Sequence, residues 1–323
     1  MRIMLQPFVI GLGRAGADLH LRVLERVRAA ASELFAPGPV IASDPDGSKH
    51  RPDVIATGSI EAATALLDPQ RTVAHLCTPP ESRAEVLAEL VGHGFRRIVV
   101  EKPLATDPAE LETIEALRDR HGLDLVVVSH WLDSRLTEHL AELISRGGLR
   151  SIAFDQDKPR FARSTTTGGH PTAFDVELPH SLGVVLRLAG AAQLTAAECG
   201  DMRCEDAVLP GLGSARLTLT HPGGVRSEIR SDLTAPIRRR RIVLEFDDEQ
   251  VVGHYPISAE DDHAHLEVDG LRRVFRDDAL TRFVLRAYRH FHAPGAEHGT
   301  FELHRDIIRL LTAAKERTFE YAH

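Results

Sequence analysis

The run Phe8-Val9-Ile10-Gly11-Leu12-Gly13-Arg14-Ala15-Gly16 sets three glycines between a short apolar strand and a long helical pattern. In that context Gly11 allows a tight turn, Gly13 lets backbone approach a pyrophosphate, and Gly16 permits close helix packing. The amides and partial positive charge of the helix N-terminus complete an anion site. Leu12, Arg14 and Ala15 fill the turn and join the glycines as candidate cofactor-binding residues. Asp44 closes the second apolar run, 28 residues after Gly16, later than the usual spacing of about 20 because the first helix is long. Its carboxylate can accept ribose hydroxyls and would repel a 2′-phosphate, so NAD is the expected cofactor. NADP stays open through Lys49 and Arg51, and Asp44 could instead only cap a turn before Pro45.

A chain of 323 residues is long for one core and suited to two. Up to about residue 130, Val- and Ile-rich runs alternate with helical patterns, which predicts a parallel sheet with crossover helices. The strands are expected at Phe8–Ile10, Val40–Ala42, Val54–Ala56, Val73–Leu76, Ile98–Val100 and Leu125–Val128. Leu19, Val23, Val27, Ala30 and Leu34 keep helical spacing and predict the apolar face of the first helix. Asp107-Pro108-Ala109-Glu110 reads as a helix start and Gly122 as its stop.

Beyond a helix at about Ser134–Arg146, strands dominate: Ile152–Phe161, Leu194–Cys204, Ala215–Thr220, Val225–Ser231, Ile242–Phe246, Val251–Ile257 and Leu266–Val268. Turns such as Pro222-Gly223-Gly224 favour antiparallel pairing. One helix is expected around Leu182–Leu188, and two more from about Asp278 and Arg305. The fold class is therefore α/β: an N-terminal Rossmann doubly wound parallel sheet over residues 1–130, then an α+β C-terminal domain over 131–323 with a largely antiparallel open sheet.

A formal charge of −8 excludes a basic footprint for nucleic acid. The run Arg238–Arg241 reads as the solvated entry to a strand. Cys77, Cys199 and Cys204 form no disulfide framework, and no apolar run is long enough for a membrane span, so a cytoplasmic protein is expected. The pairs His263/His265 and His290/His292 have no third ligand at metal spacing, so no metal is expected.

The fifth strand ends in Glu101-Lys102-Pro103, and Thr78-Pro79-Pro80-Glu81 follows the fourth. Together with the glycine fingerprint, these motifs resemble the Gfo/Idh/MocA oxidoreductases, most closely over residues 8–130. The resemblance adds Thr78, Pro79, Glu101 and Lys102 to the cofactor-binding residues. It also implies that Lys102 touches the substrate oxygen at the carbon exchanging hydride, where a cation would stabilise developing alkoxide charge. The stretch Gly168–His180 resembles the family's glycine-rich entry to a helix bearing an Asp and a His four residues apart. His180 matches the histidine, a group suited to moving the hydroxyl proton. Four residues before it stands Val176, so the partner acid is Asp175 or, in reserve, Glu177. After the sixth strand the family's usual substrate residues are replaced by His130-Trp131-Leu132-Asp133, and Trp131 is either a pocket wall or a core residue.

The resemblance thus implies NAD(P)-dependent hydride transfer to or from a CH–OH carbon, with Lys102, His180 and Asp175 catalytic. Trp131 and Glu177 join these three in contacting a small polyhydroxylated substrate: a sugar, aminosugar, nucleotide sugar or cyclitol. A homo-oligomer, dimer or tetramer, is implied by analogy. The alternatives are an NAD-binding sensor without turnover and an NAD-assisted glycosidase. The tyrosines, Tyr255, Tyr288 and Tyr321, stand at no position that favours the latter.

Overall fold

The computed structural model describes residues 4–46, 53–166, 170–205, 207–258, 261–293 and 300–319. Six strands near the N-terminus, β1 (Gln6–Ile10), β2 (Val40–Ser43), β3 (Val54–Thr57), β4 (Thr72–Leu76), β5 (Arg97–Val100) and β6 (Asp124–Val127), form one sheet. Its order is β3-β2-β1-β4-β5-β6, with every pair parallel. Their Val and Ile side chains are buried on both faces, as crossover helices require, except on the edge strand β3, where Ile55 is 43% exposed. The chain reverses direction across the sheet between β1 and β4, where an open α/β sheet forms its ligand crevice.

The first helix departs from the sequence reading. It opens with a wide π-type segment, Arg14–His20, before the regular α1 (Leu21–Ala30). The wide turn adds a residue to the helical repeat and rotates what precedes it. Leu19, placed by its spacing on the apolar face, is consequently 44% exposed, while His20 turns inward and is fully buried. Ala30 ends the helix, and the buried stripe is Leu21, Val23, Leu24 and Val27. The helices α2 (Ile60–Thr64), α3 (Arg83–Gly92) and α4 (Pro108–His121) complete the crossovers. The limits of α4 are those its sequence announces: the Asp107 carboxylate accepts the Glu110 N–H at 2.9 Å, and Gly122 takes φ +60°.

A second unit follows α5 (Arg135–Ile144) with β7 (Leu149–Asp157), α6 (Phe161–Thr166), α7 (Leu178–Ala189) and seven further strands. These are β8 (Gln193–Cys204), β9 (Ala207–Thr220), β10 (Arg226–Asp232), β11 (Arg239–Phe246), β12 (Gln250–His254), β13 (His263–Val268) and β14 (Leu271–Arg276). The sheet order is β14-β13-β12-β11-β7-β10-β9-β8, antiparallel except for the β7–β10 pair. Phe161, expected to end a strand, opens α6 instead. One face of the sheet carries α5 and α7. The strand period puts Arg239 and Arg241 on one face, against Asp157 at 3.6 Å and Asp155 at 3.9 Å. Arg240, between them, points the other way and lies 5.1 Å over the Trp131 ring, so it is no part of a solvated run.

Two helices close the chain, α8 (Ala279–His292) and α9 (Thr300–Phe319). The units by contact are Met1–His130 with Leu280–Arg305, and Trp131–Ala279 with Asp306–His323. Leu280–Arg305, assigned by sequence to the second domain, thus belongs with the first. The reason is the apolar stripe of α8: Phe283, Val284, Ala287, Tyr288 and Phe291 are buried in the same core as Val9, Val27, Phe35 and Val126. Among the described residues no helix is long and apolar enough to cross a membrane.

Candidate functional site

The glycine turn is built as its three positions require. Gly11 takes φ +87°, and a Cβ there would lie 3.1 Å from the Cys77 carbonyl. The Gly16 position leaves no room at all, because a Cβ would stand 1.9 Å from the Gly11 carbonyl oxygen. Around Gly13 a Cβ would meet nothing within 4 Å. Leu12 turns into the core, and its N–H donates to Asp44 Oδ2 at 2.5 Å. The other Asp44 oxygen accepts the Asp46 N–H at 2.9 Å, so Asp44 does cap its turn. Lys49 and Arg51 lie outside the described residues.

A cavity of about 780 Å³ runs along the strand ends of this unit. Gly11, Gly13, Arg14, Ala15 and Asp44 line it, as do Thr78, Pro79, Glu101 and Lys102. Of the cofactor residues expected from sequence, Leu12 and Gly16 alone are not on its wall; they support the turn from beneath. Ser43, Ser59, Ile60 and Arg83 also line the cavity and carried no motif. Thr78 Oγ1 and the Arg83 Nε and Nη1 atoms are buried without a hydrogen-bond partner. Burial lowers the Arg83 pKa from 12.5 to about 10, opposed by the charges of Glu101 and Cys77. A glycine cradle, an acid at the end of the second strand and orphaned polar atoms on Thr78 and Arg83, all on one cavity wall, fit a bound dinucleotide.

Behind Lys102 lies a buried polar chain. Glu101 Oε1 is 2.9 Å from His20 Nε2, His20 Nδ1 is 2.8 Å from His75 Nδ1, and His75 Nε2 is 3.0 Å from the Tyr288 hydroxyl. Burial alone would depress the His20 pKa, but the charges of Cys77 and Glu101 and their hydrogen bonds override it, raising it from 6.5 to about 10. Burial and the neighbouring His20 push His75 well below 6.5. Glu101 moves against its burial, from 4.5 to about 2, because His20, Lys102 and Arg83 favour the carboxylate. His304 hydrogen-bonds Ser129 and is lowered to about 3 by burial and by the charges of Arg83 and Lys102. Neither His20, His75 nor His304 stands in a motif; their pairing depends on the fold.

In the second unit His180 sits in the first turn of α7, its N–H bonded to the Glu177 carbonyl at 3.1 Å. Its ring stacks on Trp131 with centroids 5.5 Å apart. Trp131 is buried and continues into a stack with Tyr255 at 4.8 Å and Phe154 at 5.8 Å. Tyr255 donates to or accepts from Thr137 at 2.8 Å. The two candidate acids have separate surroundings. Asp175 Oδ2 accepts the Thr172 N–H at 3.1 Å and hydroxyl at 2.7 Å, and Oδ1 pairs with Lys315 at 2.5 Å. Glu177, buried, pairs with Lys158 and accepts from Gln156. Gly168 and Gly169 lie outside the described residues.

Among the described residues no three His, Cys, Asp or Glu side chains gather around a point that could hold a metal. His290 pairs with Asp124 at 2.8 Å, and His292 bonds the Leu34 carbonyl.

A doubly wound sheet with a glycine-cradled cavity at its switch point defines a dinucleotide-binding Rossmann protein. Residues 6–130 match the model of the Gfo/Idh/MocA oxidoreductase family, described as an NAD-binding Rossmann fold. Similar solved structures include KijD10, a 3-ketoreductase from Actinomadura kijaniata in complex with NADP and TDP-benzene, with TM-score 0.78 and 15% identity over 98% of each chain. Another is the UDP-N-acetylglucosamine 3-dehydrogenase GnnA from Acidithiobacillus ferrooxidans, with TM-score 0.75 and 14% identity over 99% of this chain and 100% of that one. Sequence comparison with curated proteins gives no match.

Proposed function

We propose that the protein is an NAD-dependent dehydrogenase or reductase acting on a CH–OH or C=O carbon of a sugar, aminosugar, nucleotide sugar or cyclitol. The observation that carries this reading is the cavity wall: the glycine cradle and Asp44 on the same cavity as Lys102. The nicotinamide, when bound, supplies the hydride acceptor or donor. Gly11 and Gly13 let the backbone approach the pyrophosphate, and Asp44 accepts from the ribose hydroxyls. The Lys102 ammonium polarises the substrate oxygen and stabilises its negative charge as the carbon changes oxidation state. His180 holds or delivers the hydroxyl proton from its Trp131-stacked position. For the acid near His180 we favour Asp175, with Glu177 in reserve; both oxygens of each are engaged, those of Asp175 by Thr172 and Lys315 and those of Glu177 by Lys158 and Gln156. Support for the substrate class comes from GnnA, named a UDP-N-acetylglucosamine 3-dehydrogenase, and from KijD10, a 3-ketoreductase crystallised with TDP-benzene. NADP is the second cofactor reading, since KijD10 was crystallised with it. We place the protein in the cytoplasm and expect it to work as a homo-oligomer.

The test pairs calorimetric titration by NADH and NADPH with absorbance assays on a panel of those substrates. NADH should bind more tightly, and Lys102→Ala should cut turnover at least about 100-fold while leaving NADH affinity within a few-fold. Unchanged turnover in the variant removes Lys102 from the reaction, binding without turnover turns the reading toward a sensor, and preference for NADPH removes Asp44 from cofactor choice.

A further inference from the structure

Glu101 and Lys102 are adjacent, so whatever fixes the Glu101 carboxylate also fixes the turn that presents the lysine. The carboxylate is held on both sides: Oε1 by His20 at 2.9 Å, and Oε2 by the Lys102 backbone N–H at 3.2 Å. His20 is fully buried and makes its second contact, ring nitrogen to ring nitrogen, with His75 at 2.8 Å. Two nitrogens at that distance need one proton between them, so one ring donates and the other accepts. If His20 donates to both Glu101 and His75, it is an imidazolium, and His75 is neutral with its hydrogen on Nε2 facing Tyr288. The opposite direction, from Tyr288 through His75 to a neutral His20, would satisfy the same contacts. Charge decides between them, because the Glu101 carboxylate sits directly on His20 Nε2 at 2.9 Å, while burial and the neighbouring His20 hold His75 neutral. Arg83 and Lys102 are the other cations that act on Glu101, and Arg28 is the cation near Tyr288.

We infer that His20 is a positioning residue for Lys102: a buried imidazolium, anchored through His75 on Tyr288, that clamps the Glu101 carboxylate and thereby the turn bearing the catalytic ammonium. The wide opening of the first helix is what makes this reach possible, since it turns His20 toward β4 and β5 in place of Leu19. The inference rests on the proposed role of Lys102.

The experiment compares His20→Leu, which removes the donor, with His20→Gln, which keeps an N–H but no charge. In His20→Leu we expect kcat to fall roughly 10- to 100-fold, the scale of a misplaced reacting group, with NADH affinity and substrate KM changed less than about 3-fold. Its acid limb of kcat should also shift upward by more than about one pH unit, as Glu101 loses the cation that keeps it ionised. His20→Gln should recover part of the rate. Nitrogen NMR on the unaltered protein should find His20 doubly protonated at pH 8 and His75 carrying its hydrogen on Nε2. Turnover in His20→Leu equal to the unaltered protein, or a neutral His20 at pH 8, overturns the inference. If the unaltered protein turns over nothing on the panel, the functional reading fails and the NMR result alone decides; the same holds if the variants do not fold.

Discussion

Gly13 and Gly16 stand three residues apart and face opposite surroundings. A methyl group on Gly16 would overlap the Gly11 carbonyl, whereas one on Gly13 would project into the open cavity. Gly16→Ala should therefore act on the fold, costing about 3 kcal/mol, the upper end for an overpacked site, and lowering the thermal midpoint by roughly 5–10 °C. Gly13→Ala should leave the midpoint within about 1 °C and weaken NADH binding by 10-fold or more. Thermal denaturation beside a cofactor titration separates the two, and a Gly13→Ala protein that bound NADH normally would place the pyrophosphate elsewhere. The sequence made both glycines visible, but not the difference between them, because their spacing is silent about which way a Cβ points. Asp44, Thr78, Glu101 and Lys102 were legible for a similar reason: each ends a strand or follows one, and parallel strands deliver their ends to one crevice. His20, His75 and His304 were not, because their partners are 55 to 213 residues away along the chain; Arg83 stands in no motif, although the carbonyl it bonds, Thr78, is five residues away.

At the scale of elements, periodicity was informative where the repeat stayed regular and a face was buried. The six parallel strands follow from their apolar runs, and α4 from its caps. The π-type opening of the first helix broke the count that placed Leu19 inward. β14 escaped notice because it has almost no buried face: Leu271 is 74% exposed and Val274 55%. An edge strand rich in arginine joins its neighbour by backbone pairing and the Arg272–Glu267 ion pair, and avoids further strands through its charge. Helix α8 shows the opposite case, a strongly amphipathic helix whose partner the sequence could not reveal. Phe283 is fully buried among residues of the first unit, so Phe283→Ala should cost about 3–5 kcal/mol. Hydrogen exchange should show the loss in β1 and β2; protection lost first from β11 and β12 would assign the helix to the wrong core.

For the whole molecule, the buried histidines set a pH dependence of stability. His20 has a folded pKa raised from 6.5 to about 10, so its contribution is complete below 6.5 and drains away as pH rises toward 10. His75 and His304 are lowered, to about 3 for His304, so the protons they take up in the unfolded chain penalise folding below 6.5. Glu101, lowered from 4.5 to about 2, adds stability above 4.5 that is lost on further acidification. The thermal midpoint should peak near pH 6.5 and fall on both sides, and His20→Gln should flatten the alkaline limb; an alkaline limb unchanged in that variant would show that other groups set it. The return of Leu280–Arg305 to the first unit also bears on how the chain is made. Residues 1–130 leave the ribosome some 150 residues ahead of the helix that caps their core. At roughly 5–20 residues per second, that interval is on the order of ten seconds. Throughout it the nascent sheet waits with the seat of Phe283 and Tyr288 open to solvent, and a chaperone has its opportunity there.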